Sequence, residues 1–224
     1  RFAERVFVNC ASRACRQNGA RLVQWGDAIV PRVLSISGLV AIMGQPSPHS
    51  PAVLLMAAFS RYDDALDWAR ERAVAEFGPI ALESPRFEFA ETDYYQATMG
   101  KGLRKVFFTF ERPYAPDETA ETKLLANRWE EEYAAEHPRN EPRPLNLDPG
   151  YLTLGKLVLS STKDFAHRIY LSQGIYAEVT LFFRHGKWEH HDFTFADYRR
   201  PDYQAFFTRC RDRLHQRLRE EATS

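Results

Sequence analysis

The chain predicts a single α+β domain: a βαββα first half, then an antiparallel β meander, closed by a C-terminal helix. Three observations carry that expectation. Residues 52–59 (AVLLMAAF) form an unbroken apolar run of strand length. Residues 156–195 hold four short apolar runs separated by polar turns, the pattern of consecutive hairpins. Segments 62–77, 116–136 and 203–220 instead repeat their apolar residues at helical spacing.

The continuous apolar character of 52–59 predicts a strand buried on both faces. In the helix that follows, Leu66, Ala69, Ala73 and Phe77 fall on one face, and Gly78-Pro79 stops it. Residues 80–89 alternate loosely and predict one strand. Residues 92–102 suit a turn of small and aromatic residues, and 105–110 a third strand. Pro116 and Asp117 fit the first turn of the second helix, which Pro138 closes. The connection 137–144 (HPRNEPRP) is too proline-rich for regular structure, and Pro149-Gly150 suits the centre of a type II turn.

The meander strands are expected at 156–162, 167–171, 175–183 and 188–195. A three-residue loop, Ser172-Gln173-Gly174, pairs Leu171 with Ile175, Tyr170 with Tyr176, Ile169 with Ala177 and Arg168 with Glu178. That register places Ile169, Leu171, Ile175, Ala177 and Val179 on one face, and Arg168, Tyr170, Tyr176 and Glu178 on the other. A two-residue loop scrambles the faces. The last helix turns Phe207, Cys210, Leu214 and Leu218 inward.

Thirty basic residues balance thirty acidic ones, so the whole chain is no electrostatic magnet for nucleic acid or anionic membrane. Three cysteines form no disulfide framework and suit a cytoplasmic protein, and no apolar run reaches the roughly 20 residues of a membrane span. Residues 1–42 scatter six arginines without sustained period, and Met43 precedes a Pro/Ser linker. The expected organisation is therefore a disordered or non-native extension with linker over 1–50, one domain over 51–220, and a tail over 221–224, with Met43 as the start. Cys10 and Cys15 lack the second pair that a zinc site needs.

Several polar groups stand out as ligand-site candidates. Asn146 and Asp148 share one face of an extended segment and would present two oxygens to a hydroxyl, an amine or Mg²⁺, although Asp148 also suits a turn cap. Lys163 and Asp164, after Ser160-Ser161-Thr162, sit where a strand ends and could grip a phosphate or carboxylate, or simply build a turn. Arg168, Glu178, Tyr170 and Tyr176 would form either a pocket floor or a solvated sheet face. On the second helix, Lys123, Asn127 and Glu130 or Glu131 share a row, and Asn127 is a poor helix residue without a partner.

No phosphate loop, nucleophile elbow, HExxH, CxxC or dinucleotide fingerprint occurs, so catalytic residues stay unassigned and no metal site is expected. The stretches NLDPGYL, STKDFAHRIYL and GIYAEVTL, with FGPI, TDYYQATMG, FFTFER and KLLANRWEEEYA upstream, resemble a bacterial domain-of-unknown-function family, number 4416. The resemblance covers roughly Ser50 to Arg219. It implies a start near Met43 and, through a label that some members carry, GTP binding; MGKGLRK lacks the spacing and the Ser/Thr of a phosphate loop.

The functional expectation is a cytoplasmic protein that binds, or binds and turns over, a small anionic or phosphorylated metabolite or nucleotide. Its alternative is a non-catalytic RNA- or protein-binding module using the seven arginines of 199–219.

Overall fold

The computed structural model describes residues 46–89 and 95–223, together with two short strands, β1 (Gln24–Trp25) and β2 (Ala28–Ile29). It divides into two units, Arg1–Ser47 and Pro48–Ser224. Within the first, β1 and β2 pair antiparallel. The expectations for Met43, Cys10, Cys15 and the order of the rest of 1–42 lie outside the described residues.

The second unit is an α+β domain built on one antiparallel sheet. Its centre is β3 (Ala52–Ser60), buried at all nine positions. Helix α1 (Asp63–Phe77) follows, then β4 (Ile80–Glu83), β5 (Phe87–Phe89), the one-turn α2 (Gln96–Met99) and the long β6 (Leu103–Tyr114). A 3-10 turn at Pro116–Glu118 leads into α3 (Thr119–Glu136). The meander comprises β7 (Asn146–Leu152), β8 (Lys156–Ser161), β9 (Ile169–Ser172), β10 (Ile175–Arg184) and β11 (Lys187–His190), and α4 (Pro201–Thr223) ends the domain. Strand order is β11-β10-β8-β7-β3-β6-β4, with β5 added to β6 and β9 to β10. The meander thus extends the first sheet.

Alternation along β3 sets the layers. Leu54, Met56 and Ala58 pack with Ala65, Leu66 and Ala69 of α1 and with Ala126, Trp129 and Tyr133 of α3. Val53, Leu55 and Ala57 face the opposite way, into Tyr203, Phe206, Phe207, Cys210 and Leu214 of α4. Helices therefore cover both faces, which explains why β3 reads as continuously apolar.

Several expectations need correction. The single strand expected over 80–89 is two, broken at Ser84-Pro85-Arg86. Proline has no N–H to offer the ladder, and Ser84 keeps the break attached: its amide donates to the Phe107 carbonyl (3.0 Å) and its hydroxyl accepts from the Phe107 amide (2.9 Å). Pro149-Gly150 is no turn but the middle of β7, and Gly150 is not left-handed. Its missing side chain serves close approach instead: a Cβ there would stand 2.1 Å from the Val158 carbonyl oxygen. The strand expected to reach residue 195 stops at His190, where Thr194 accepts the His191 amide and folds the chain into a turn. The expected tail over 221–224 is still helix as far as Thr223.

The β9–β10 hairpin combines both loop lengths weighed from the sequence. Gln173 and Gly174 have φ of 51° and 77°, a two-residue turn closing on Ser172 and Ile175. The register then shifts, so that Tyr170 opposes Tyr176 and Ile169 opposes Ala177, as predicted, while the Leu171–Ile175 pair does not form. Leu171 is the extra residue of a bulge. All four residues of β9 are exposed, Ile169 and Leu171 among them.

Candidate functional site: a buried polar cluster where the sheet parts

Strand β7 is paired with β3 along its whole length, from Asn146 opposite Phe59 to Leu152 opposite Val53. Its pairing with β8 covers only Gly150 to Leu152. Over residues 146–149, β7 therefore has an edge with no strand beside it, and side chains from α3 serve that edge. Glu130 accepts the Leu147 amide (2.8 Å), and Lys123 donates to the Leu147 carbonyl (2.7 Å). Seven residues apart, Lys123 and Glu130 stand two helical turns from each other on one face, the spacing needed to reach both groups. On the other side of the gap, Ser160 donates to the Pro149 carbonyl (2.6 Å).

Charged groups gather at this gap. Lys123 lies 3.1 Å from Asp148 Oδ1, and Asn146 donates to Asp148 Oδ2 (2.9 Å). The two residues share a face as predicted, yet they bond each other rather than presenting two open oxygens. Arg143 donates twice to Glu130 Oε2 (3.0 and 2.7 Å). Lys105 of β6, 2.5 Å from Asp197, has its ammonium 4.7, 4.5 and 5.1 Å from the ring centres of Phe59, Phe89 and Tyr198. Glu178 of β10, its side chain 1% exposed, accepts from Arg168 (2.7 Å) and Thr180 (3.0 Å), with His167 3.3 Å away.

The electrostatics tie these pairs together. Burial works to raise the Asp148 carboxyl, but Lys123, Lys105 and Arg143 hold it below the usual carboxylate value. Burial raises Glu130, against the pull of Lys123 and Arg143. Burial also pushes the Tyr198 phenol well above its ordinary value, helped by Asp197, Asp148, Tyr203 and Glu178. Tyr198 is 2% exposed, and its hydroxyl has no hydrogen-bond partner among the described residues. It is a neutral donor in the fields of three carboxylates.

The candidates named from the sequence divide at this point. Asn146, Asp148, Lys123, Arg168 and Glu178 belong to the cluster. Asn127 is half-buried on the α3 face between Lys123 and Glu130. Lys163 and Asp164 are exposed: the Lys163 carbonyl accepts from Arg168 (3.1 Å), and Asp164 bonds the Tyr176 hydroxyl. The Tyr170 and Tyr176 rings meet edge to face at 5.3 Å, with Tyr170 57% exposed.

Sequence reasoning missed Lys105, Asp197, Tyr198 and Arg143. Lys105 carried a legible signal: it alternates with Phe107 and Thr109 on one face of a strongly apolar strand. Asp197 and Tyr198 lie in a 3-10 turn, with no period to mark them.

Among the described residues, no group of three or more His, Cys, Asp or Glu side chains could hold a metal ion, and no helix is long and apolar enough to cross a membrane. Of the basic residues near α4, Arg199, Arg200, Arg211, Arg213 and Arg217 all bond protein oxygens.

The family model "Domain of unknown function (DUF4416)" matches residues 50–214. The chain belongs to the DUF4416 family. No curated protein and no solved structure matches it. The DUF4416 match begins just before β3 and ends within α4, so it contains every residue of the cluster.

Proposed function

We propose that this DUF4416 protein is a bacterial, cytoplasmic binder of a small metabolite that carries an anionic group, held where β7 runs beyond β8. The observation that supports the reading is the Tyr198 hydroxyl, buried and without a hydrogen-bond partner among the described residues. Leaving a buried donor unmade costs about 1–3 kcal/mol, and such groups in folded proteins call for an explanation. A ligand oxygen that accepts from Tyr198 supplies one. The nearby carboxylates do not repel it as a bare negative field would, because Lys105, Lys123 and Arg168 each neutralise one of them. Arg143, with 39% of its side chain exposed, is the cation of the cluster most open to an incoming carboxylate or phosphate.

The test is calorimetry and thermal shift with inorganic phosphate, sugar phosphates and di- and tricarboxylates as probes. Tyr198→Phe keeps the ring packing and removes only the donor. The expected result is binding by at least one probe class, weakened about tenfold or more in Tyr198→Phe, the loss of one hydrogen bond of about 1.4 kcal/mol. Equal affinity in Tyr198→Phe and Arg143→Met, with both folded, would overturn the reading, as would failure of every probe at millimolar concentration.

A further inference from the structure

The large exposed hydrophobic side chains of the described residues are concentrated in one region. Phe165, Ile169, Tyr170, Leu171, Phe193 and Phe195 are between 39 and 72% exposed, and all fall within residues 165–195. Phe165, Phe193 and Phe195 are linked through His167 and Arg168. Phe193 stacks on His167 at 4.2 Å, and His167 lies 5.8 Å from Phe165. The Arg168 guanidinium sits 4.7 Å from the Phe165 ring and 5.9 Å from that of Phe195. Ile169, Tyr170 and Leu171 continue directly from this cluster as β9.

β9 is also an open edge. It pairs with β10 alone, and its other side makes no backbone hydrogen bond among the described residues. Natural edges are blunted by lysine, proline or inward-pointing charge. Here residues 169–177 (IYLSQGIYA) carry no charge and no proline. The nearest charges, Arg168 and Glu178, are withdrawn into a pair whose side chains are 3% and 1% exposed. Only the bulge at Leu171 limits pairing, and it limits its length.

We infer that β9 and its flanking rings form a two-fold interface with a second copy of this chain. The strand that such an edge accepts must be short, apolar and uncharged, and β9 itself meets that description. Antiparallel pairing of two copies opposes no like charges, and a two-fold closes on itself instead of growing into a fibre. The area is adequate. Whole aromatic side chains bury about 150–250 Å² each, so the four roughly half-exposed rings present roughly 400 Å², and Ile169 and Leu171 bring the total to on the order of 600 Å². That is at the upper end of patches on monomers and close to the roughly 800 Å² per partner of a standard interface.

Sedimentation velocity of the full chain, from about 1 to 100 μM, tests the inference. The wild type is expected to show a concentration-dependent dimer. Ile169→Lys/Leu171→Lys, on exposed side chains, is expected to be monomeric throughout with an unchanged circular-dichroism melt. If that variant does not fold, Tyr170→Asp on the other side of the strand provides the same reading. A wild type that stays monomeric at 100 μM overturns the inference, whether or not another protein binds the patch. A dimer that survives in the folded variant overturns it too, by placing the interface elsewhere.

Discussion

Lys123 of α3 and Asp148 of β7 meet at 3.1 Å, and their contact fills the place where a neighbouring strand would otherwise stand. The same ammonium satisfies the Leu147 carbonyl at 2.7 Å. Removing it strands two acceptors in the interior. Breaking a buried pair from one side costs about 3–5 kcal/mol, because the remaining charge loses its compensation. Lys123→Met is expected to fall in that range by urea denaturation. Lys123→Met/Asp148→Asn should cost clearly less than the two single changes added together, a coupling of about 1 kcal/mol or more. Lys163→Met, on an exposed side chain, should stay within about 0.5 kcal/mol of wild type. Additive losses at 123 and 148 would show that the pair does not hold the gap.

The acid response of Asp148 has a definite sign. Burial pulls its carboxyl upward, but Lys123, Lys105 and Arg143 bring it below the ordinary 3.8. A depressed carboxyl contributes stability that is present above the unfolded value and lost as pH falls through the folded one. The window therefore lies at and below pH 3.8. Asp148→Asn lacks this contribution, so the denaturation midpoints of wild type and variant should lie apart at neutral pH and converge as pH drops through that window. Glu130, raised above 4.5, acts in the opposite sense at higher pH but is present in both proteins, so the gap at neutral pH is the reference and its closure is read below 4.5. A gap that stays constant to pH 3 would contradict the assigned direction.

Period and composition made the scaffold legible. Apolar runs located β3 and β10, helical spacing located α1, α3 and α4, and alternation set the Tyr170–Tyr176 and Ile169–Ala177 pairs. What failed was local chemistry with two uses. Pro-Gly reads as a turn in any linear scan, and only the approach of Val158 shows why Gly150 sits in a strand. The site was half legible for a similar reason. Asn146, Asp148, Lys123, Arg168 and Glu178 stood out by residue type on placeable elements, whereas Lys105 meets Asp197 across 92 residues of chain. Contacts of that separation leave no periodic trace.

The hairpin turn tests the reconciled register. Gln173 holds φ at 51°, a region that asparagine and glycine adopt more readily than glutamine, and Gly174 follows at 77°. Gln173→Asn should raise stability by up to about 1 kcal/mol, while Gly174→Ala should lower it by about 1–2 kcal/mol. Both are read from thermal melts. A three-residue loop instead pairs Ile175 with Leu171, leaves Ser172 in the loop and predicts no gain at 173, so an unchanged Gln173→Asn melt would favour it over the two-residue turn with a bulge.

Gly150 makes the sharpest demand on the fold. A Cβ at that position would lie 2.1 Å from the Val158 carbonyl oxygen, 2.9 Å from Leu159 Cδ2 and 3.1 Å from the Leu159 Cα. The first and last of these are backbone of the paired strand, so a side-chain rotation does not relieve them. Gly150 also holds the last rung of the β7–β8 ladder, opposite Leu159, immediately before the two strands part. Alanine there must push β8 away and open the gap that Lys123 and Ser160 bridge from either side. Overpacking typically costs 1–3 kcal/mol, and a clash with backbone belongs at or above the top of that range. Gly150→Ala is therefore expected to lose about 3 kcal/mol or to fail to fold. Gly155→Ala is the control: it sits in the β7–β8 loop with open space around its Cβ and no left-handed φ. It should gain or lose less than about 1 kcal/mol. Parallel urea titrations of the two variants decide the matter, and equal midpoints would mean that β7 and β8 do not approach as closely as described.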